Sequence, residues 1–188
     1  MIKCIIASGP PGVGKTTVSY RIASMFSHSA LINGDAIYDM VVGGYIKPGK
    51  NDPVKKRLYD LFIDNLHSLT WNHLSYRNHV VVDWVIPESW IEKIFKCTDS
   101  NYPVDIDFRY VVLTASDDKL IERDSLRPPN RRCHDECIKV KAFLHQRTSS
   151  RFLLDTNAMT VEEIANTIIK DERFQVCIRD TNQNKETA

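Results

Sequence analysis

Residues Gly9-Pro10-Pro11-Gly12-Val13-Gly14-Lys15-Thr16 follow the pattern G-x-x-x-x-G-K-[ST], and their flanks restrict the fold more than any other stretch of the chain. Before them, the apolar run from Ile2 to Ala7 reads as a buried strand. After them, apolar residues at Val18, Ile22, Met25 and Phe26 recur at the spacing of one helix face. A glycine-rich loop between a strand and a helix has a definite use. Glycine lets the backbone curl, successive N–H groups then face inward as an anion nest, and the helix start adds partial positive charge. The stretch therefore predicts a P-loop that holds a nucleoside triphosphate, with Gly9 to Thr16 and the following Thr17 around the phosphates. Lys15 is expected to reach the β- and γ-phosphates, and the Thr16 hydroxyl to ligate Mg²⁺. A chance glycine-rich turn is the alternative, and the strand and helix on either side argue against it.

A chain of 188 residues suits one α/β domain, read here as residues 1–178, with a polar, disordered tail at 179–188. A net charge of +1 supplies no global field for nucleic acid or an anionic membrane, so any basic site must be local. No stretch approaches the ~20 apolar residues that span a bilayer. Five cysteines form no regular framework, and free thiols in a cytoplasmic enzyme are the expectation.

Beyond the first helix, Ser29 to Ile32 reads as a second strand whose tip carries Asn33-Gly34-Asp35. Ligands of open parallel sheets collect beyond the carboxyl ends of the strands, so Asp35 is expected beside the γ-phosphate, where it could take a proton from an acceptor hydroxyl. A turn or helix-cap role for Asp35 is the competing reading. Val41 to Lys50 is a glycine-bearing loop of the kind that forms a lid or substrate loop, and Asp52-Pro53 reads as the start of a helix. That helix carries Val54, Leu58, Leu61, Asn65 and Leu69 on one face, and residues 36–75 form the expected acceptor region. Lys47 or Arg57 could hold an anionic acceptor, although a solvated basic turn is the simpler reading. His67, His73 and His79 are six apart and match no metal-ligand spacing on a helix.

His79 to Ile86 is β-branched and continuous, and Asp83 is its one charge. A buried carboxylate needs a partner, and beside a P-loop that partner is the hydration shell of Mg²⁺. Asp107 to Leu113 and Arg151 to Asp155 supply two more strands, and Thr160 to Glu163 is a capping box that opens the last helix. Between those strands, Ser116 caps a helix with Leu120, Ile121 and Leu126 inward. It runs into Arg123, Arg127, Arg131 and Arg132, with Pro128-Pro129 as the stop. Arg123 and Arg127 share a helical face. Guanidinium groups there suit phosphate oxygens and stack on adenine, so residues 124–136 are expected to form a lid. Cys133, His134 and Cys137 lack the second ligand pair of a structural zinc site. Ile138, Val140, Phe143 and Leu144 give the next helix its apolar side, and Asn157, in the loop after the last strand, could border the adenine.

On these residues the chain resembles the small P-loop kinases grouped around shikimate kinase, gluconate kinase and the chloramphenicol phosphotransferases, including bacterial AAA-type proteins labelled as gluconate kinases. The likeness covers residues 1–172, and the stretch from Gly34-Asp35 through Met40 to Gly43-Gly44-Tyr45 is part of it. The resemblance implies a P-loop NTPase three-layer sandwich, with a five-stranded parallel sheet in the order 2-3-1-4-5, helices on both faces and a small lid. It also implies that Asp35 contacts or deprotonates the acceptor hydroxyl, that Arg123 lies against adenine, and that Arg127, followed by Pro128, is the lid arginine. Two departures separate the chain from named members. Asp83-Trp84-Val85-Ile86-Pro87 stands where shikimate kinases carry three glycines, and Pro128-Pro129-Asn130 replaces the Gly-His-Phe of gluconate kinases.

The expected function is an ATP- and Mg²⁺-dependent phosphotransferase acting on a small-molecule hydroxyl, with Lys15, Asp35 and Arg127 as catalytic residues and Thr16 and Asp83 at the metal. A monomer or homodimer is expected. A nucleotide or polynucleotide 5′-hydroxyl kinase, or a nucleotide-gated switch, is the alternative; neutral overall charge counts against a long nucleic acid.

Overall fold

Cys4 to Ala7, Val80 to Val82 and Tyr110 to Leu113 are apolar without a break, which requires a sheet covered on both sides. The computed structural model describes residues 1–46, 54–95 and 105–176. In chain order the elements are β1 (Ile2–Ser8), α1 (Lys15–Ser24), β2 (Ser29–Asn33), α2 (Gly34–Tyr38), α3 (Lys55–Ser75), β3 (His79–Asp83), α4 (Ile91–Phe95), β4 (Ile106–Thr114), α5 (Asp117–Ser125), α6 (Glu136–His145), β5 (Leu153–Asp155) and α7 (Val161–Lys170). The strands form one five-stranded sheet in the order β2-β3-β1-β4-β5, and every neighbouring pair is parallel. This is the topology that the resemblance implies. Helix α1 packs on α7 and against β2 and β3, while α3 covers β2 and β3 together with α4.

Ile5 and Ile6 of β1, Val80 to Val82 of β3 and Tyr110 to Leu113 of β4 are wholly buried. Polar groups at the amino end of the sheet are paired. Asp107 binds both Lys3 and Arg109, and Arg109 Nη1 donates to the carbonyls of Ile168 and Asp171, tying β4 to the end of α7. His79 Nδ1 accepts from the Lys3 amide at 3.0 Å and its ring stacks on Phe26, while His67 Nδ1 pairs with the Ile94 carbonyl, so these two are structural.

Several apolar positions face differently from the sequence reading. On α3 the buried stripe is Leu58, Phe62, Leu66 and Thr70 with Ile63, Trp71 and Leu74. Val54 and Leu61 lie exposed, because the row of residues four apart, and not the 54–61 row, meets the sheet. On α5 only Leu120 and Asp124 are buried; Ile121 is 48% exposed and Leu126 is 80% exposed. Phe143 of α6 is also exposed, and Cys137 and Leu144 carry the buried side. The proposed Asp52-Pro53 helix start, Lys47 and the tail at 179–188 lie outside the described residues.

Candidate active site

The parallel register brings the carboxyl ends of β1, β3 and β2 level. Ala7 of β1 pairs with Asp83 of β3, and Asp83 with Asn33 of β2. The loop after β1, the carboxylate at the end of β3 and the residues after β2 therefore share one rim. Ser8 Oγ accepts from the Ile86 amide at 2.9 Å and fixes the loop after β3 to the start of the glycine-rich loop.

The loop from Gly9 to Gly14 runs into α1 through Gly14, which has a left-handed backbone, and no side chain caps the helix. Amides of a first turn have no intrahelical acceptor, so those of Lys15, Thr16 and Thr17 border the loop. Gly12 is left-handed, with φ of 80°, and a Cβ there would stand 3.0 Å from the Leu120 carbonyl. The loop thus packs directly beneath α5. Pro10 supplies the carbonyl that accepts from Lys15 Nζ at 3.1 Å, and from the amide of buried Val13.

Thr16 Oγ1 donates to Asp83 Oδ2 at 2.7 Å. Hydroxyl and carboxylate oxygens at one point are a hard donor set, which suits Mg²⁺. Burial pushes the Asp83 carboxyl up, against the Thr16 hydrogen bond and Lys15, with Asp35 adding to the rise. Burial likewise pushes the Lys15 ammonium down, and the carboxylates of Asp83 and Asp35 only partly offset it. Each group is short of compensating charge, as fits residues meant to meet a polyanion and a cation.

Asp35 stands in the first turn of α2, which Asn33 caps by accepting the Ala36 amide at 3.2 Å. The cap of this helix is Asn33 and not Asp35, which stands one residue inside it. Trp84 Nε1 donates to Asp35 Oδ1 at 2.9 Å. A Cβ on Gly34 would lie 2.4 Å from Trp84 Cγ, so the indole seats directly on the glycine. Trp84 is thus a hydrogen-bond partner of Asp35 that sequence reading missed.

On the opposite side, Arg123 Nη1 donates to the Val13 carbonyl at 3.2 Å and to Thr156 Oγ1 at 3.5 Å. Arg127 Nη1 contacts Asp124 Oδ1 at 3.1 Å and Cys133 Sγ at 3.5 Å, and its charge is felt by Lys15. The buried Asp124 carboxylate also accepts the amides of Cys133 and His134, both at 2.9 Å to Oδ2. Burial alone would raise its pKa, but the His134 and Cys133 amides and then Arg127 together hold it below the usual carboxylate range. Asp124 organises the 124–136 segment and was not foreseen, because a carboxylate inside a basic turn reads as solvated charge. Arg131 and Arg132 are exposed. Asn157 Oδ1 accepts from the Ser116 amide at 3.0 Å and so holds the loop after β5 to the start of α5. Among the described residues no group of Cys, His, Asp and Glu is arranged to hold a metal, so Cys133, His134 and Cys137 form no zinc site.

A family model described as an AAA domain, AAA_18, matches residues 5–139. The chain belongs to the AAA_18 family. No curated protein sequence matches it. Among solved structures, this AAA_18 chain is similar to a sugar kinase from Janibacter sp. HTCC2649, with 13% identity, a TM-score of 0.65, and 88% of this chain and 91% of that one covered. It is similar to the tunicamycin resistance protein of Deinococcus radiodurans, with 17% identity, a TM-score of 0.60, and coverage of 89% and 94%. A third neighbour is thymidylate kinase from Candida albicans, with 14% identity, a TM-score of 0.59, and coverage of 91% of each chain. At these identities the likeness establishes the fold, that of the small P-loop kinases. No helix among the described residues is long and apolar enough to cross a membrane.

Proposed function

We propose that this chain is an ATP- and Mg²⁺-dependent phosphotransferase that moves the γ-phosphoryl group to a hydroxyl of a small molecule. The observation that carries the reading is the convergence of Lys15, the Thr16–Asp83 pair and Asp35 on one rim, with Asp35 held by Trp84 on the side away from Arg123. That the sugar kinase and thymidylate kinase neighbours are named as kinases supports it.

In this reading the loop amides from Gly9 to Thr17 and Lys15 Nζ bind the phosphates, and Arg123 and Asn157 border the base. Thr16 and Asp83 would hold Mg²⁺, which would supply charge neutralisation for the phosphates. Asp35 Oδ1 is fixed by the indole, so Oδ2 is the atom that takes the acceptor's hydroxyl proton as its oxygen engages phosphorus. Arg127 offsets the charge that develops on the transferring group, and the 124–136 segment closes over it and excludes water.

Lys15→Ala tests the donor half. Replacement removes the one ammonium on the loop, and Mg²⁺-dependent ADP release in the presence of a working acceptor should fall to background. Persistent release at the wild-type rate would overturn this assignment.

A further inference from the structure

The half of the molecule that presents Asp35 is walled by aromatic rings from three separate parts of the chain. Trp84, next to Asp83, lies at the centre. Phe62 of α3 packs on it at 3.9 Å between ring centroids, and Tyr38 of α2 stacks beside it at 6.0 Å with planes 25° apart. These three rings are buried. Tyr59, Trp90 and Tyr45 form an outer set. Tyr59 and Trp90 each lie 6.2 Å from Trp84 and meet one another edge-on at 5.3 Å, while Tyr45 stands edge-on to Tyr38 at 5.8 Å. Tyr59 and Trp90 are half-buried and Tyr45 is 44% exposed, so the outer set reaches the surface around the rings that surround Trp84, whose indole holds the carboxylate.

Phe62 packs in the core as Leu58 and Leu66 do. Tyr59 and Trp90 pack against that core from its edge and keep part of each ring at the surface. The charges that act on Tyr45 are carboxylates. Burial first, then Asp39 through its charge and a hydrogen bond, and then the charge of Asp35 hold the Tyr45 phenol above its ordinary pKa. At the outer edge Lys55 Nζ lies 5.5 Å from the centre of the Tyr59 ring. The guanidinium groups that contact the glycine-rich loop and the segment after α5, Arg123 and Arg127, belong to the opposite side. Anionic acceptors call for a guanidinium fork aimed at their carboxylate or phosphate, whereas flat rings are held by stacking at little entropic cost.

Resting on the phosphotransferase reading above, we propose that the acceptor is an uncharged alcohol carried on a flat ring, the chemistry shared by nucleosides and aryl alcohols. Its ring stacks on the outer aromatic set of Tyr59, Trp90 and Tyr45, and its hydroxyl meets Asp35 Oδ2. The bond that forms joins the acceptor oxygen to the γ-phosphorus, the bond that breaks joins that phosphorus to the β–γ bridging oxygen of ATP, and the acceptor proton passes to Asp35. Trp84 couples the two functions, since one ring both seats the wall and fixes the carboxylate.

The test uses the full chain with ATP and Mg²⁺ against uridine, cytidine, adenosine and thymidine, against 2-phenylethanol and benzyl alcohol, and against gluconate and shikimate. ADP release is counted only where Lys15→Ala abolishes it, and ring binding is followed separately by quenching of tryptophan emission. The expected result is turnover of a ring alcohol at a kcat/KM at least about tenfold above either acid. Trp90→Leu and Tyr59→Leu should each raise its KM by about 5- to 150-fold, as loss of one stacking contact does, with kcat changed much less. Nucleosides outrunning the aryl alcohols, or the reverse, identifies which source the wall serves. Lys15-dependent transfer to gluconate or shikimate in preference to every ring compound overturns the inference and leaves the phosphotransferase reading intact. Unchanged KM in both leucine variants overturns it as well. If no compound gives Lys15-dependent ADP, the phosphotransferase reading falls. The aromatic site is then judged by emission alone, upheld by saturable quenching that Trp90→Leu weakens and overturned by none.

Discussion

Gly34 has no room for a side chain. The nearest Trp84 atoms would lie 2.4, 2.6 and 2.8 Å from an added Cβ, all on one side chain whose ring Phe62 also packs against. Gly34→Ala should therefore destabilise the fold by about 1–3 kcal/mol, as overpacking does, and displace the indole from Asp35. Denaturant unfolding measures the first effect, and an unchanged midpoint would contradict the packing described. The contrast with the glycine-rich loop shows what a sequence reveals. Gly9 to Thr16 is legible because its chemistry is local, eight consecutive residues between a strand and a helix. The Asp35–Trp84 pair is not legible, because its members are 49 residues apart and meet only through the pairing of Asn33 with Asp83. Asp35 and Asp83 were each readable as rim carboxylates, yet the ring that joins them stood in a stretch noted only for lacking three glycines.

At the scale of elements, the segment after α5 depends on one buried carboxylate. Asp124 accepts from Arg127 and from the Cys133 and His134 amides, and the backbone of His134 is left-handed, with φ of 49°. An asparagine would turn a donor toward donors, so Asp124→Asn should cost about 1–3 kcal/mol and speed proteolysis between Arg127 and His134. The sign of the pH dependence follows from the direction of the shift. The folded-state pKa lies below the ordinary 3.8, so the contribution is complete above that value and is lost as pH falls through the depressed one. The stability gap between wild type and Asp124→Asn should thus close as pH drops below 3.8 and stay open at neutral pH. A gap independent of pH would show that the carboxylate charge is not what holds the turn. Helical spacing put Arg123 and Arg127 on one face, but α5 ends at Ser125 and Arg127 lies in the turn beyond it. The same spacing misled for Ile121 and Leu126, because α5 covers the glycine-rich loop with Leu120 and Asp124 instead. A polar residue turned inward at a functional site defeats periodicity, which assumes that inward means apolar.

For the whole molecule, alternating strand and helix patterns suffice for a parallel sheet covered on both faces, since buried parallel strands must be apolar throughout. The order of those strands does not follow from periodicity, and it entered through the resemblance that the sheet then bore out. The proposed function is distributed in the same way. Its donor half is a short motif on a crossing between two strands, whereas its proposed acceptor half is assembled from α2, α3 and the segment after β3. No single stretch of sequence displays it. The central claim is that a carboxylate on that second half receives the acceptor's proton while the first half holds the donor. Mass spectrometry of the acceptor after incubation with ATP and Mg²⁺ tests it most directly, in wild type and in Asp35→Asn, with affinity for a non-hydrolysable ATP analogue measured alongside. The account predicts that wild type adds one phosphoryl group to the acceptor hydroxyl, and that Asp35→Asn binds the analogue normally but transfers about 10²-fold or more slowly. Transfer at the wild-type rate by Asp35→Asn, or no phosphorylated acceptor from a wild-type protein that consumes ATP, would contradict it.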